Sequence, residues 1–127
     1  MKQALLLDDN PAQLTIRDLV LRKAGVESHV ATNARTALAL LRSAMGREKI
    51  GVVITDHFMP EMDGVEFVRQ LRAFAPELPV ILISGQPDAD SEYAGLNIIF
   101  RCKPCEPDDL IATVRFALSD HPQRASA

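Results

Sequence analysis

Five polar side chains stand at or just after the ends of short apolar runs, where a buried strand would reach the edge of a sheet. They are Asp8, Asp9, Asp56, Ser84 and Lys103. A carboxylate that leaves a low-dielectric sheet needs a cation or a reaction to stabilise its charge. If the runs are neighbouring strands, three carboxylates, a hydroxyl and an ammonium group converge on one small site.

The chemistry of such a site follows from its charges. Three carboxylates within a few ångströms repel one another, so without a counter-ion at least one should have a raised pKa. Hard oxygen ligands favour Mg²⁺. A carboxylate can also attack phosphorus and form an acyl phosphate, with Mg²⁺, Lys103 and Ser84 stabilising the transferring group. The residues therefore predict magnesium-assisted phosphoryl transfer.

Two periodicities alternate along the chain and predict the elements that position these residues. Short apolar runs predict strands at residues 4–7, 28–31, 51–55, 80–84 and 98–101. Apolar residues between them recur at helical spacing. One such series is Ala34, Ala37, Leu38, Leu41 and Met45, another is Val65, Val68, Leu71 and Phe74, and a third is Leu110, Val114, Ala117 and Leu118.

Polar residues mark where three of the helices should begin. Asn10-Pro11 offers a capping side chain and a proline at the first helical position, and Asn33 can cap the second helix. Pro107-Asp108-Asp109 places acids at the positive end of the last helix. The pattern predicts an α/β fold of the (βα)5 type, a doubly wound parallel five-stranded sheet in the flavodoxin-like order 2-1-3-4-5. Ligands of such sheets bind outside the carboxyl ends of the strands.

Length and composition limit the class of protein. A chain of 127 residues that is 47% apolar fits one domain with a real core. We expect residues 1–119 to form it and residues 120–127 to be a polar C-terminal tail. The net charge of -3 and the absence of a basic cluster argue against direct nucleic-acid binding. No apolar run approaches the roughly 18 residues of a membrane span, so a cytoplasmic location is expected.

The motifs together resemble the receiver domain of two-component response regulators, of the chemotaxis-regulator type. The resemblance covers residues 2–119. It is carried by Asp8-Asp9, by Asp56-x-x-Met59-Pro60-x-Met62-Asp63-Gly64, by Ser84-Gly85 and by Lys103-Pro104. It implies a phosphorelay component that is not an enzyme in the ordinary sense and assists only its own phosphorylation and dephosphorylation.

The resemblance also assigns roles. Asp56 would accept phosphate from a sensor histidine kinase or a phosphotransfer protein. Mg²⁺ would be bound by Asp9, Asp56 and the backbone carbonyl of Phe58, with Asp8 acting mainly through water. Ser84 and Lys103 would bind the phosphoryl group, and the Lys103-Pro104 bond would be cis. The expected partners downstream are an effector protein or domain, or a second copy of the chain.

Other positions matter for the switch and for the lifetime of the signal. Ser84 and Phe100 occupy the switch positions of the family, although phenylalanine lacks the hydroxyl that a tyrosine would offer. Phe58 and Gln86, each two residues beyond a site residue, would sit over the acyl phosphate and influence attack by water. The segment 86–97 is short for a full helix with two loops, which predicts a single turn or an irregular segment.

Three other functions would use some of the same residues. A haloacid-dehalogenase-like phosphatase also forms an aspartyl phosphate, but it requires Asp-x-Asp after the first strand, where this chain has Asp8-Asp9-Asn10. A flavodoxin-like cofactor binder needs a phosphate-cradling loop there, which two aspartates would oppose. A pseudo-receiver that serves as a constitutive adaptor would not need all five site residues. Neither the phosphatase nor the cofactor binder explains Lys103.

The two cysteines form a C-x-x-C motif, Cys102-Lys103-Pro104-Cys105, around the lysine. We favour two reduced thiols without a role. The alternative is a redox pair in which Cys105, just before a helix, has a lowered pKa. A zinc site would need two further thiols or imidazoles, and His29, His57 and His121 are too scattered to supply them.

Overall fold

The computed structural model describes residues 2–119, so the predicted tail and His121 lie outside the described residues. Five parallel strands form one sheet in the order β2-β1-β3-β4-β5, which confirms the predicted topology. Their bounds are β1 Gln3–Leu7, β2 Ser28–Ala31, β3 Ile50–Asp56, β4 Val80–Ser84 and β5 Ile99–Cys102. The third strand is longer than predicted and ends on Asp56 itself, and the fifth begins and ends one residue later than predicted.

Five α-helices connect or flank the strands. They are α1 Pro11–Lys23, α2 Ala34–Arg42, α3 Ala44–Lys49, α4 Gly64–Phe74 and α5 Pro107–Leu118. The predicted caps are present: Asn10 Oδ1 accepts hydrogen bonds from the N–H groups of Ala12 and Gln13, and Asn33 Oδ1 accepts one from Thr36. Within residues 2–119, none of these helices has the length and apolar character required to cross a membrane.

Helix α2 ends earlier than its apolar spacing predicted, so placing Met45 in that helix was wrong. Ser43 has an extended backbone, and its hydroxyl accepts a hydrogen bond from the N–H of Gly46, which starts the separate helix α3. A Cβ on Gly46 would lie only 2.0 Å from the carbonyl oxygen of Leu40. The local cap and this close approach outweigh the apolar periodicity.

The sheet is buried on both faces. One layer of side chains packs under α2 and α4 and includes Leu5, Leu7 and Phe67. The other packs under α1 and α5 and includes Leu6 and Ile54. Because successive residues of a strand point to opposite faces, the continuous apolar runs of β1, β3 and β4 supply both layers. These layers hold the carboxyl ends of the strands in register.

The segment between β4 and β5 contains a 3-10 helix, Ala89–Tyr93, in agreement with the expectation of a single turn. Arg72 of α4 holds the end of this segment, because its guanidinium donates hydrogen bonds to the carbonyls of Leu96 and Asn97 at 2.7 and 2.8 Å. Gly95 and Asn97 have positive φ angles, a conformation that glycine and asparagine tolerate best. The segment is thus short but firmly attached.

Candidate functional site

The three predicted carboxylates meet at the carboxyl edge of the sheet. Asp8 and Asp9 follow β1, and Asp56 ends the neighbouring strand β3. One oxygen from each lies within 4.8 Å of the others. Asp8 is buried and Asp9 exposed, so solvent reaches the cluster at Asp9. Three oxygens at this spacing suit a hard divalent cation such as Mg²⁺.

Asp8 is the most buried of the three acids, with 1% of its surface exposed. Its Oδ1 accepts a hydrogen bond from the N–H of Asn10 at 2.9 Å, and its Oδ2 accepts one from Arg17 Nη1 at 3.1 Å. Burial nevertheless raises the pKa of Asp8, assisted by the nearby charge of Asp56 and opposed by the Asn10 N–H, Arg17 and Lys103. Repulsion among the acids predicted a raised pKa in the cluster; the pKa of Asp8 is raised, but burial is the larger cause and the charge of Asp56 a smaller one.

Asp56 is held from two directions. Its Oδ1 accepts a hydrogen bond from the N–H of His57 at 2.8 Å, and Lys103 Nζ lies 2.9 Å from its Oδ2. The Asp56 side chain is 13% exposed and the Lys103 side chain 37% exposed, so solvent reaches the pair from the lysine side. Each oxygen of Asp56 therefore has a partner, and the partner of Oδ2 is a partly exposed cationic side chain.

The ends of β4 and β5 bring the remaining predicted residues to the same edge. Ser84 is buried at the end of β4, and its Oγ accepts a hydrogen bond from the N–H of Gln86. The N–H of Lys103 donates to the carbonyl of Ser84 at 2.8 Å, which ties the lysine loop to β4. Phe100 lies in β5, half-buried against the core layer under α2 and α4, and the Lys103-Pro104 bond is cis.

The loop after β3 carries Phe58, whose side chain is 65% exposed. The N–H of Gly64 donates to the carbonyl of His57 at 2.9 Å, and Asp63 caps α4 by accepting from the N–H of Glu66. Both ends of the loop are therefore fixed. The exposed Phe58 ring contacts the His57 ring, with 4.7 Å between their centroids.

His57 is buried and joins this loop to the 3-10 helix. Its Nδ1 lies 2.8 Å from the hydroxyl of Tyr93, and its Nε2 lies 3.1 Å from a carboxylate oxygen of Glu92. A carboxylate only accepts, so Nε2 donates to Glu92, and in the neutral tautomer that fits this contact Nδ1 accepts from the Tyr93 O–H. Burial, with the nearby acids Asp63, Glu92 and Asp56, raises the pKa of Tyr93, which keeps the phenol protonated as this donor.

Tyr93 also approaches the start of α4. A Cβ built on Gly64 would lie 2.2 Å from the Tyr93 hydroxyl and 2.9 Å from the carbonyl oxygen of Asp56. Any side chain at position 64 would therefore displace either the tyrosine or the backbone of the acceptor residue. The Asp63-Gly64 pair is required for close packing here as well as for capping α4.

Comparison with known proteins agrees with this geometry. The model of the response regulator receiver domain matches residues 4–115. The chain belongs to this family. A receiver domain from Clostridium thermocellum superimposes with a TM-score of 0.82 at 25% identity, over 93% of this chain and 94% of that one. Family membership favours the receiver function over the phosphatase and cofactor-binding alternatives.

Curated relatives of this receiver domain are longer proteins. It is 30% identical over 124 residues to the response regulator protein TodT of Pseudomonas putida, covering 95% of this chain and 53% of TodT. It is 37% identical over 119 residues to the C4-dicarboxylate transport transcriptional regulatory protein DctD of Pseudomonas aeruginosa, covering 91% of this chain and 25% of DctD. The chain thus spans about half of the first relative and a quarter of the second.

Both cysteines of the receiver domain are free thiols, Cys102 exposed and Cys105 half-buried. The lowered pKa considered for Cys105 is wrong. Burial raises the pKa of this thiol, and Asp109 adds to the effect, while Arg17 and Arg101 oppose it only in part. A thiol with a raised pKa is a poor nucleophile at neutral pH, so the redox alternative loses its chemical basis at Cys105.

Sequence reasoning missed two contacts of the site region, the ion pair of Arg17 with Asp8 and the bond between His57 and Tyr93. Arg17 falls at helical spacing between Leu14 and Leu21, on the buried face of α1, and a charged residue at such a position was a detectable signal. The sequence analysis treated His57 only as a residue that does not bind a metal, and its bond to Tyr93 was not predicted. That bond joins residues 36 positions apart, and no local sequence pattern predicts it.

The link between His57 and Tyr93 predicts the effect of removing one hydroxyl. In Tyr93→Phe the phenyl ring can still pack in the same position. The buried Nδ1 of His57, however, loses its hydrogen-bond partner. We expect the free energy of unfolding to fall by about 1–2 kcal/mol, as measured by urea denaturation.

A His57→Leu background provides the control for this prediction. There the hydroxyl has no imidazole partner, so Tyr93→Phe should cost less than half as much. An equal cost in both backgrounds would show that the hydroxyl does not depend on His57.

Proposed function

We propose that this receiver domain is a phosphorylation-dependent switch in which Asp56 accepts a phosphoryl group from a sensor histidine kinase or phosphotransfer protein. The observation that carries the proposal is the position of Asp56. Its carboxylate lies within 4.8 Å of those of Asp8 and Asp9, while its other partner is the ammonium of Lys103 at 2.9 Å. A nucleophilic carboxylate and a cation for the transferred group are thus side by side.

The proposed reaction is a transfer from nitrogen to oxygen. A carboxylate oxygen of Asp56 attacks phosphorus, the bond between phosphorus and the donor's histidine nitrogen breaks, and its electron pair stays on the imidazole. The product is an acyl phosphate on Asp56. Lys103 and the Ser84 hydroxyl bind the phosphoryl oxygens, spreading the charge that develops on them. The domain assists its own phosphorylation and dephosphorylation and acts on no other substrate.

The donor set fits Mg²⁺. Asp8, Asp9 and Asp56 offer only oxygen ligands, and the cluster is buried at Asp8 and exposed at Asp9. Such a site suits a small cation that keeps several of its waters. Asp9, Asp56 and the backbone carbonyl of Phe58 would hold the ion, with Asp8 oriented toward its waters. The cation supplies positive charge against the phosphoryl oxygens when bound.

Phosphorylation would act on the rest of the domain through Lys103 and Ser84. A phosphoryl group on Asp56 would draw Lys103 and Ser84 toward it. The hydrogen bond from the Lys103 N–H to the Ser84 carbonyl would transmit the movement to β4 and β5. Phe100 in β5 would then turn inward and change a protein-interaction surface. This is a population shift between two packings, favoured by the contacts that only the phosphorylated state makes.

The output of the proposed switch is contact with another protein or domain. The curated relatives extend well beyond the matched region, so an effector in the same chain is one form of partner, and a separate effector or a second copy of the chain is another. We propose that residues 1–119 are the receiver unit, that it works in the cytoplasm, and that it binds neither nucleic acid nor membrane directly.

The acceptor assignment is tested with acetyl phosphate and Mg²⁺. One phosphoryl group should be added to the native chain, and Asp56→Asn should abolish the addition because an amide cannot form an acyl phosphate. Intact-protein mass spectrometry measures the mass change. This experiment also separates the switch from the pseudo-receiver alternative, which predicts no addition to the native chain.

The matched control is Asp63→Asn. Asp63 is an exposed acid in the same loop, and asparagine preserves its cap on α4. Labelling should remain in this variant. Undiminished labelling of Asp56→Asn would exclude Asp56 as the acceptor.

The lifetime of the phosphorylated state should depend on Phe58. Its bulky apolar side chain can neither orient a water nor leave one much room, whereas Gln86 could hydrogen-bond an attacking water. We expect Phe58→Asn to shorten the half-life of the acyl phosphate about three- to tenfold. This is less than the rate increase that a fully positioned general base would give. The decay of the acyl phosphate after removal of the donor measures it.

Mg²⁺ affinity serves as the control for Phe58→Asn. It should stay nearly unchanged, because the proposed ligand at this position is a backbone carbonyl. A half-life equal to or longer than that of the native chain would show that Phe58 does not shield the phosphate.

A further inference from the structure

We propose that Arg17 lowers the affinity of the acidic site for Mg²⁺, by neutralising part of its charge and by occupying an oxygen of Asp8. The inference rests on the proposed function, since it assumes that the site binds Mg²⁺. It assigns a positioning and tuning role to a residue of α1 that lies outside the predicted site.

The position of Arg17 is unusual for a charged residue. Arg17 lies on the face of α1 that packs on the sheet, between the buried Leu14 and Leu21. Its side chain is only 10% exposed, and that of its partner Asp8 is 1% exposed. Withdrawing two charges from water costs more than burying an apolar pair of the same size, so a buried ion pair is a poor device for stability alone. The pair points instead to a role at the carboxylate cluster.

The charges of the metal-free site show what that role is. Asp8, Asp9 and Asp56 carry three negative charges, and Lys103 and Arg17 each bring one positive charge to a carboxylate, at 2.9 and 3.1 Å. With both cations the cluster has one excess negative charge, and without Arg17 it has two. A divalent cation is attracted more strongly to the second arrangement. Arg17 therefore stabilises the metal-free state relative to the metal-bound one.

The hydrogen bonds of Asp8 also lower the affinity of the site for Mg²⁺. Its Oδ1 already accepts from the N–H of Asn10 and its Oδ2 from Arg17, so neither oxygen is without a partner before a cation or its waters arrive. Asp9, in contrast, is exposed. Mg²⁺ or a bound water that contacts Asp8 must share an oxygen with a guanidinium or an amide. Lys103 cannot replace Arg17 in this respect, because its bond is to Asp56.

Isothermal titration calorimetry with MgCl₂ alone, without a phosphodonor, tests the inference on the full chain. Arg17→Gln keeps a hydrogen-bond donor near Asp8 but removes the charge, whereas Arg17→Lys keeps the charge. We expect the Mg²⁺ dissociation constant to fall about tenfold in Arg17→Gln, from the Coulomb energy of one unit charge a few ångströms away, screened by water and salt. Arg17→Lys should remain within about twofold of the native chain on the same grounds.

Arg22→Gln is the matched control, since it makes the same change of net charge on an exposed part of α1, where Arg22 pairs with Asp18. The Mg²⁺ dissociation constant of this variant should stay within about twofold of that of the native chain, because water and salt screen an exposed charge that is distant from the site. A second readout is thermal stability. Without Mg²⁺, Arg17→Gln should melt below the native chain, and saturating Mg²⁺ should narrow the difference.

The outcomes are separable. If the native chain binds no Mg²⁺, the metal site of the proposed function fails. If the native chain binds it and Arg17→Gln binds equally or more weakly, the inference about Arg17 is overturned while the metal site stands. Arg17→Met, which suits a buried helical position, should tighten binding as Arg17→Gln does. Should both variants fail to fold even in saturating Mg²⁺, Arg17 is a folding residue and the inference is also overturned.

Discussion

The repulsion among three carboxylates at one edge of a buried sheet is the constraint on which the rest of this structure depends. Two apolar layers fix the strands, and the strand order places the ends of β1 and β3 side by side. The acids cannot move apart without disturbing the core. Their charge must then be balanced locally, by the N–H groups of Asn10 and His57, by Arg17 and Lys103, and in the proposed function by Mg²⁺.

In the proposed function the same balance makes the site responsive. Lys103 is half-exposed on a loop and its N–H donates to the Ser84 carbonyl, so a change of charge at Asp56 would reach β4 and β5 through this one residue. On the other side, His57 connects the residue next to Asp56 with Tyr93 of the 3-10 helix. A phosphoryl group would add charge where these two connections meet. Both segments are short, and each meets the site at a single residue, Lys103 or His57.

The sequence predicted the fold and the convergence of the site because both follow from repeating patterns. Strand runs and helical spacing determine the sheet order, and strand ends determine that Asp8, Asp9, Asp56, Ser84 and Lys103 share an edge. Individual contacts escaped prediction. The end of α2 was missed because the hydroxyl of Ser43 competes with an apolar repeat. The bond between His57 and Tyr93 depends on the path of a short segment in space. Arg17 is a charged residue on the otherwise apolar face of α1, which the sequence could have shown. Only the structure identifies Asp8 as its partner.

In the proposed switch, Lys103 transmits the state of Asp56 to the rest of the domain. Amide chemical shifts from two-dimensional NMR, recorded with Mg²⁺ before and after acetyl phosphate, test it most directly in the native chain and in Lys103→Met. Phosphorylation should change the amide chemical shifts of residues 84–86 and 99–103 in the native chain. In the variant Asp56 should still be phosphorylated, but the changes should stay near residues 56–58. Equal changes along β5 in both proteins would show that Lys103 does not transmit the state of Asp56.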